Sequence, residues 1–399
     1  MRPLLLSAAT LSSSLGLGLE ATRDALAAGA SGLAPCRFET AALDTWVGEI
    51  HGLDAVRLPP ALAAFDCRNN RAAELGLAQD GFADAVHEAA ERHGAARIGV
   101  FMGTSTAGIL QTELAYRRRD PRDGSLPADF DYRHTHNTFS VAEYVRARLG
   151  LAGPCAALST ACSSSAKAFA SAARLVEARV IDAAVVGGVD TLCLTTLYGF
   201  GSLDLLSKAP CRPYDAERDG ISIGEAAALF LLERVPANAR DGIALLGTGE
   251  SSDAWHMSAP HPEGRGARMA MEAALRAASL APGAIDYVNL HGTGTQSNDA
   301  SEDRAITALF GDRVPCNSTK AMTGHALGAA GGVEAIVALL AIRDGFVPPG
   351  VGTRRIDPAL GAHYEIAGGA RRVDRVMSNS FGFGGSNCSL VFGRAESLA

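Results

Sequence analysis

Short apolar runs alternate along this chain with longer segments of helical periodicity. The runs at 98–102, 183–187, 228–233, 287–290, 375–379 and 389–392 read as strands. Brief apolar stretches bounded by turn residues suit strands buried on both faces. Residues 80–93, 164–177, 266–279, 302–309 and 330–344 read as helices. Alternation of this kind implies an α/β fold with buried mixed sheets. A Pro-, Asn- and Arg-rich stretch at 235–242 is the best boundary, and it divides the chain into residues 1–240 and 241–399. The two parts share no clear residue-level repeat, and low-complexity segments are absent.

Composition narrows the class. The 399 residues are 47% hydrophobic and 20% charged, an ordinary globular balance with enough length for a sizeable core. A net charge of −7 argues against a nucleic-acid partner. The eight cysteines form no CxxC pair and no regular spacing, so neither a disulfide framework nor a structural metal site is indicated. Reduced thiols fit a cytoplasmic protein. No stretch reaches the roughly 18 apolar residues of a membrane span. Residues 1–10 have the look of a weak signal peptide, but the apolar run is short, and Gly16-Leu-Gly-Leu-Glu20 leads into an amphipathic segment.

Candidate chemistry starts at Cys162, in Leu158-Ser-Thr-Ala-Cys-Ser-Ser-Ser165, between an apolar run and a small-residue helix. A thiol at a strand-to-helix turn meets unpaired backbone N–H groups, which favour a thiolate and hold a developing oxyanion. Two distant histidines sit in glycine-rich sequence. His291 opens His291-Gly-Thr-Gly-Thr295, and His325 lies in Asn317-Ser-Thr-Lys-Ala-Met-Thr-Gly-His325. One cysteine with remote histidines is the pattern of a thiol nucleophile whose site assembles only on folding. Gly292-Thr-Gly294 lacks the spacing of a dinucleotide loop.

Three further segments extend the pattern: Arg212-Pro-Tyr-Asp-Ala-Glu-Arg-Asp-Gly220 with Gly224-Glu225, Ser252-Asp-Ala-Trp-His-Met-Ser-Ala-Pro260 with Pro262-Glu-Gly264, and Asn379-Ser-Phe-Gly-Phe-Gly-Gly-Ser-Asn387. With the cysteine and histidine segments, they resemble the elongating β-ketoacyl-acyl-carrier-protein synthases of the thiolase superfamily. The resemblance runs from Arg97 to the end and is looser before it. It implies a thiolase-like fold of two pseudo-symmetric halves, with mixed sheets layered between helices. Cys162 would lie in the first half and both histidines in the second. It also implies that the chain opens with a strand, a glycine-rich turn and a helix.

The implied reaction is a decarboxylative Claisen condensation. Cys162 takes an acyl group from acyl carrier protein, then the enolate of malonyl-carrier protein attacks the acyl-cysteine. Acyl groups arrive on the carrier's phosphopantetheine arm, and no metal or further cofactor is expected. His291 and His325 would act as neutral imidazoles on the malonyl thioester oxygen, and the N–H groups of Cys162 and Phe383 would form the oxyanion hole. Phe383, between two glycines, would gate the thiol. Lys320 would bias the nearby histidine toward neutrality, with Glu302 as its matching carboxylate. Glu334 would either orient His325 or lie on a helix surface. Lysine is very rare in this chain, so Lys320 is not generic decoration.

One region departs from the family. The stretch that lines the acyl pocket near the dimer interface in common elongating members is polar here, Asp129-Phe-Asp-Tyr-Arg-His-Thr-His-Asn-Thr-Phe-Ser140. A specialised synthase for aryl polyenes or another iterative polyketide is the alternative to fatty-acid elongation. His134 and His136 lack a third metal ligand. A homodimer is expected, with a heterodimer with a related, chain-length-factor-like subunit left open. A non-catalytic subunit would lack the nucleophile, and a thiolase would need a second catalytic cysteine. Carrier proteins are acidic, so a docking face of arginines is expected. The candidates are Arg68 and Arg71, before a helix-like stretch from Ala72, and the cluster Arg117, Arg118 and Arg119.

Overall fold

The computed structural model describes residues 1–235 and 242–395. The predicted boundary at 235–242 therefore falls almost wholly outside the described residues. Among the described residues eleven strands build the main sheet: β1 (Leu4–Ser13), β2 (Ile98–Gly103), β3 (Cys155–Leu158), β4 (Ala183–Asp190), β5 (Ala226–Arg234), β6 (Ile243–Ser252), β7 (Tyr287–Asn289), β8 (Cys316–Asn317), β9 (Arg375–Gly382), β10 (Ser386–Arg394), and a two-residue strand, Gly16–Leu17, that pairs only with β1. The numbered strands run across the sheet in the order β8-β7-β9-β10-β6-β1-β5-β4-β2-β3.

The order hides a repeat that composition does not show. From β1 outward, β5 and β4 pair antiparallel, then β2 and β3 parallel. From β6 outward, β10 and β9 pair antiparallel, then β7 and β8 parallel. The two halves have the same plan. They join at the β1–β6 seam through two register pairs, Leu4↔Leu245 and Leu5↔Ala244. This is the pseudo-symmetric α/β architecture that the resemblance implies.

The helices include α1 (Gly18–Ala28), α2 (Arg68–Leu77), α3 (Phe82–His93), α4 (Ser164–Glu177), α5 (Leu194–Ser202), α6 (Arg265–Ala278), α7 (Gln296–Phe310) and α8 (Ala330–Asp344). Every residue from Ala330 to Ile342 of α8 is buried. A helix apolar all round must be covered all round, and α8 packs against β5, β9 and α4. Small residues let it approach α4 closely: a side chain at Gly331 would meet Ala166 at 2.8 Å. The largest core lies around these two helices, where Phe169 of α4 meets Phe230 of β5 and Phe392 of β10.

The ends of elements moved more than their positions. Helices α4 and α8 match their predicted limits. Strand β4 runs on to Asp190 because the residues after 187 still pair with β5. Helix α7 starts at Gln296, since the Thr295 side chain accepts the N–H of Asn298 and caps it. The chain opens with β1, a turn at Ser14–Leu15, the short Gly16–Leu17 strand that pairs back on β1, and α1. Among the described residues no helix is long and apolar enough to cross a membrane.

Candidate active site

The nucleophile turn joins β3 to α4. Ala161 sits at φ 53, a left-handed conformation that the small side chain makes tolerable. Ser164 stitches the turn, donating through its N–H and its hydroxyl to the Ala161 carbonyl. Cys162 is thereby held, buried, at the start of α4.

His291 follows β7. Glu302, one turn and more into α7, accepts the backbone N–H groups of His291 and Gly292, each at 2.8 Å, and the Asn379 amide at 3.2 Å. His325 is clamped by its own backbone: its N–H donates to Ser222 at 2.7 Å and its carbonyl accepts from Gly224 at 3.0 Å. These two anchors bring together residues 163 positions apart. His325 Nε2 lies 2.9 Å from Cys162 Sγ, and the two imidazole rings meet edge to face at 5.3 Å. One ligand atom from each of Cys162, His291 and His325 lies within 4.8 Å of the others, so the same trio has the chemistry and spacing to hold a soft metal ion.

Electrostatics set the protonation states. Burial drives both histidines well below their ordinary pKa, and the Lys320 charge pushes the same way. Both imidazoles are neutral at physiological pH. Burial pushes the Cys162 thiol up to about 12, against the pull of Lys320. The expectation of a thiolate stabilised by backbone N–H groups is therefore corrected for the resting state. Cys162 rests as a thiol, and the neutral Nε2 of His325 is the acceptor beside it.

Lys320 finds a different carboxylate from the one expected. Its ammonium donates to Glu334 and to the His291 carbonyl. Glu302 serves the His291 backbone instead. Glu334 is fully buried on α8, so it neither orients His325 nor faces solvent; it neutralises Lys320 and also accepts from Ser380 at 3.4 Å. Burial raises both Glu302 and Glu334 to about 7.

Phe383 is partly exposed at the mouth of a cleft that Cys162 and both histidines line. A side chain at Gly382 would meet the Thr160 carbonyl at 2.8 Å and the Cys162 nitrogen at 3.2 Å, so this strand end passes against the nucleophile turn. Phe200 of α5 lines the same cleft and packs on Phe383, ring centres 5.7 Å apart. Sequence reasoning missed Phe200, although Gly199-Phe-Gly201 repeats the Gly-Phe-Gly pattern of 382–384. It also missed the loop tie at the mouth, where Asp253 accepts from Asn387 at 2.9 Å.

The arginines sort differently. Arg68 is buried and donates to Glu225 at 2.6 and 2.9 Å and to Asp54 at 2.5 Å. Arg68 is therefore corrected from a docking cation to an internal anchor. Arg71 is held in a two-bond pair with Asp66 at 2.6 and 2.7 Å. Arg117 and Arg118 are exposed and reach Glu39 at 3.3 Å and Asp129 at 3.1 Å. Arg119 is exposed with no ion pair among the described residues. None of the five lines the cleft.

Known proteins resemble this chain in sequence and fold. Residues 11–238 match the family described as Beta-ketoacyl synthase, N-terminal domain, and residues 243–354 match its C-terminal domain. A 3-oxoacyl-[acyl-carrier-protein] synthase 2 of Vibrio cholerae is 33% identical, with 96% of each chain covered. Among solved structures, the ketosynthase ApeO in complex with its chain length factor ApeC, from Xenorhabdus doucetiae, is 40% identical at a TM-score of 0.90, covering 99% of this chain and 98% of that one. The ishigamide ketosynthase/chain length factor is 26% identical at a TM-score of 0.89, covering 98% and 99%. With both family segments matched and a buried thiol facing two neutral imidazoles, the chain belongs to the β-ketoacyl synthase family and is a condensing acyltransferase.

Proposed function

We propose that Cys162, His291 and His325 carry out a two-stage condensation on substrates borne by acyl carrier protein. The observation that carries this reading is the thiol of Cys162 lying 2.9 Å from a neutral His325 Nε2. In the first stage the thiol proton passes to His325, sulfur attacks the acyl thioester carbonyl, and the carrier's thiolate leaves with that proton. In the second stage malonyl-carrier protein loses CO2. Hydrogen bonds from His291 and His325 stabilise the enolate oxygen where its charge develops. The enolate carbon attacks the acyl-cysteine, and the oxyanion is held by the N–H groups of Cys162 and Phe383. Collapse releases the β-ketoacyl thioester and the Cys162 thiolate, which takes a proton from water. Burial and the Lys320 charge keep the imidazoles neutral, Glu334 holds the Lys320 ammonium in place, Glu302 holds the His291 turn, and Phe383 opens and closes the thiol. The phosphopantetheine arm of the carrier delivers both substrates. The division into halves at residue 240 belongs to the same reading, with the nucleophile in one and both histidines in the other.

A specialised polyketide pathway, such as aryl polyene synthesis, is the second reading. The polar 129–140 stretch and the 40% identity to a ketosynthase in complex with a chain length factor both favour it. Strand β3 closes one edge of the sheet, with all four residues half-buried, and among the described residues its outer backbone edge pairs with no strand, which leaves it open to a second subunit. A copy of this chain or a related subunit would pair there. The test is the mass of the adduct on Cys162 after incubation with a panel of acyl-carrier proteins, alone and with a neighbouring paralogue. A saturated acyl adduct formed alone supports fatty-acid elongation. A polyene adduct that needs the paralogue supports the specialised pathway. Absence of any adduct, or condensation at the wild-type rate by Cys162→Ala, would overturn the mechanism.

A further inference from the structure

We infer that Asp190 is a positioning residue for His325, an inference that rests on the reading of His325 as a malonyl-side imidazole. Asp190 ends β4 and is fully buried. Its Oδ1 accepts from the Thr104 hydroxyl at 2.7 Å, the Thr106 N–H at 2.9 Å and the Thr106 hydroxyl at 2.8 Å. The Ser105 N–H reaches both oxygens, at 2.8 and 2.9 Å. Oδ2 accepts the Gly328 N–H at 2.6 Å. Three peptide groups and two hydroxyls from two distant segments thus converge on one carboxylate. No ion pair satisfies it among the described residues. A buried charge held only by hydrogen bonds is expensive, and an apolar residue would be the cheaper way to fill the site.

Both segments that Asp190 ties carry unusual backbone. Ala107 sits at φ 41, and Leu327 sits at φ 48. For leucine, with a Cβ, that region is disfavoured and persists only where the surroundings impose it. Leu327 follows His325 by two residues and Gly328 by three. The carboxylate packs tightly on this turn: a side chain at Gly328 would meet Oδ2 at 2.8 Å. On the other side, Ser222 and Gly224 grip the His325 backbone itself. The imidazole is therefore fixed between two anchors, and Asp190 is the one that holds the strained turn. Released from it, Leu327 relaxes toward negative φ and carries His325 away from Cys162.

Malonyl decarboxylation by the purified full-length protein reads the effect. Asp190→Asn lowers kcat about tenfold or more, with KM within about twofold, because geometry and not substrate binding is lost. Adding Leu327→Gly restores kcat about threefold or more, since glycine holds a positive φ without the tie. That double variant also loses a buried leucine and melts at a lower temperature, so a merely structural Asp190 predicts that it performs worse than the single variant. Wild-type kcat in Asp190→Asn, or no recovery in the double variant, overturns the positioning role. His325→Ala is measured beside them. Full decarboxylation there overturns the reading of His325 itself, whereas loss there with wild-type kcat in Asp190→Asn overturns the inference alone. If Asp190→Asn does not fold, Asp190→Glu, which keeps the charge and lengthens its reach, is judged by the same two criteria.

Discussion

An imidazole serves an enolate best when it is neutral, because it then donates a hydrogen bond without bringing a resting charge into a dry site. Burial makes His291 and His325 so, and Lys320 reinforces it. The arrangement has a cost in acid. Both histidines are depressed below 6.5 in the folded chain, so between 6.5 and their folded values the unfolded chain binds more protons. Stability from this source is whole above 6.5 and is lost as pH falls below it, by up to about 1.4 kcal/mol per pH unit for each histidine. Glu302 and Glu334, raised to about 7, act with the opposite sign between 4.5 and 7. A difference measurement separates them. The melting temperature of His291→Asn minus that of the wild type increases as pH falls from 7 to 5. A difference that stays constant across that range would show that His291 is not buried neutral.

At the scale of the element, α2 shows how a helix start redirects a charged side chain. The helix begins at Arg68, four residues before the helix-like stretch read from sequence, and its first turn aims inward. Arg68 then meets Glu225, which is wholly buried and also accepts the N–H groups of Ile50 and Leu192 at 3.0 and 2.9 Å. The pair ties α2 to the loop after β4 and to the segment leading into β5. Arg68→Ala leaves Glu225 buried without a cation, which costs about 3–5 kcal/mol. Urea unfolding reads this as a lower midpoint, with KM for the carrier-borne substrate unchanged in the folded fraction. Unchanged stability with a raised KM would return Arg68 to the docking face.

At the scale of the whole molecule, an acidic enzyme that attracts an acidic carrier must concentrate positive charge on one face. Arg117, Arg118 and Arg119 are the exposed candidates that survive folding. Reversing all three to Glu raises KM for a carrier-borne substrate several-fold, about 1 kcal/mol of lost attraction, and flattens the salt dependence of the rate. A free thioester is unaffected. Equal damage to both substrates would place the docking face elsewhere. The sequence by itself determined the α/β class and the long helices α4 and α8, and it singled out the three residues that the fold brings together. Each of these rests on local information: apolar periodicity, a turn of small residues, or glycines that admit a ligand. Only the tertiary structure decided which carboxylate meets Lys320, that the Cys162 thiol rests protonated, that Arg68 faces inward, and that Asp190 reaches Gly328. Hydrogen-bond partners and burial depend on what the fold brings from far along the chain. A buried charge and an exposed one of the same residue type look alike until the sheet order and helix packing place them.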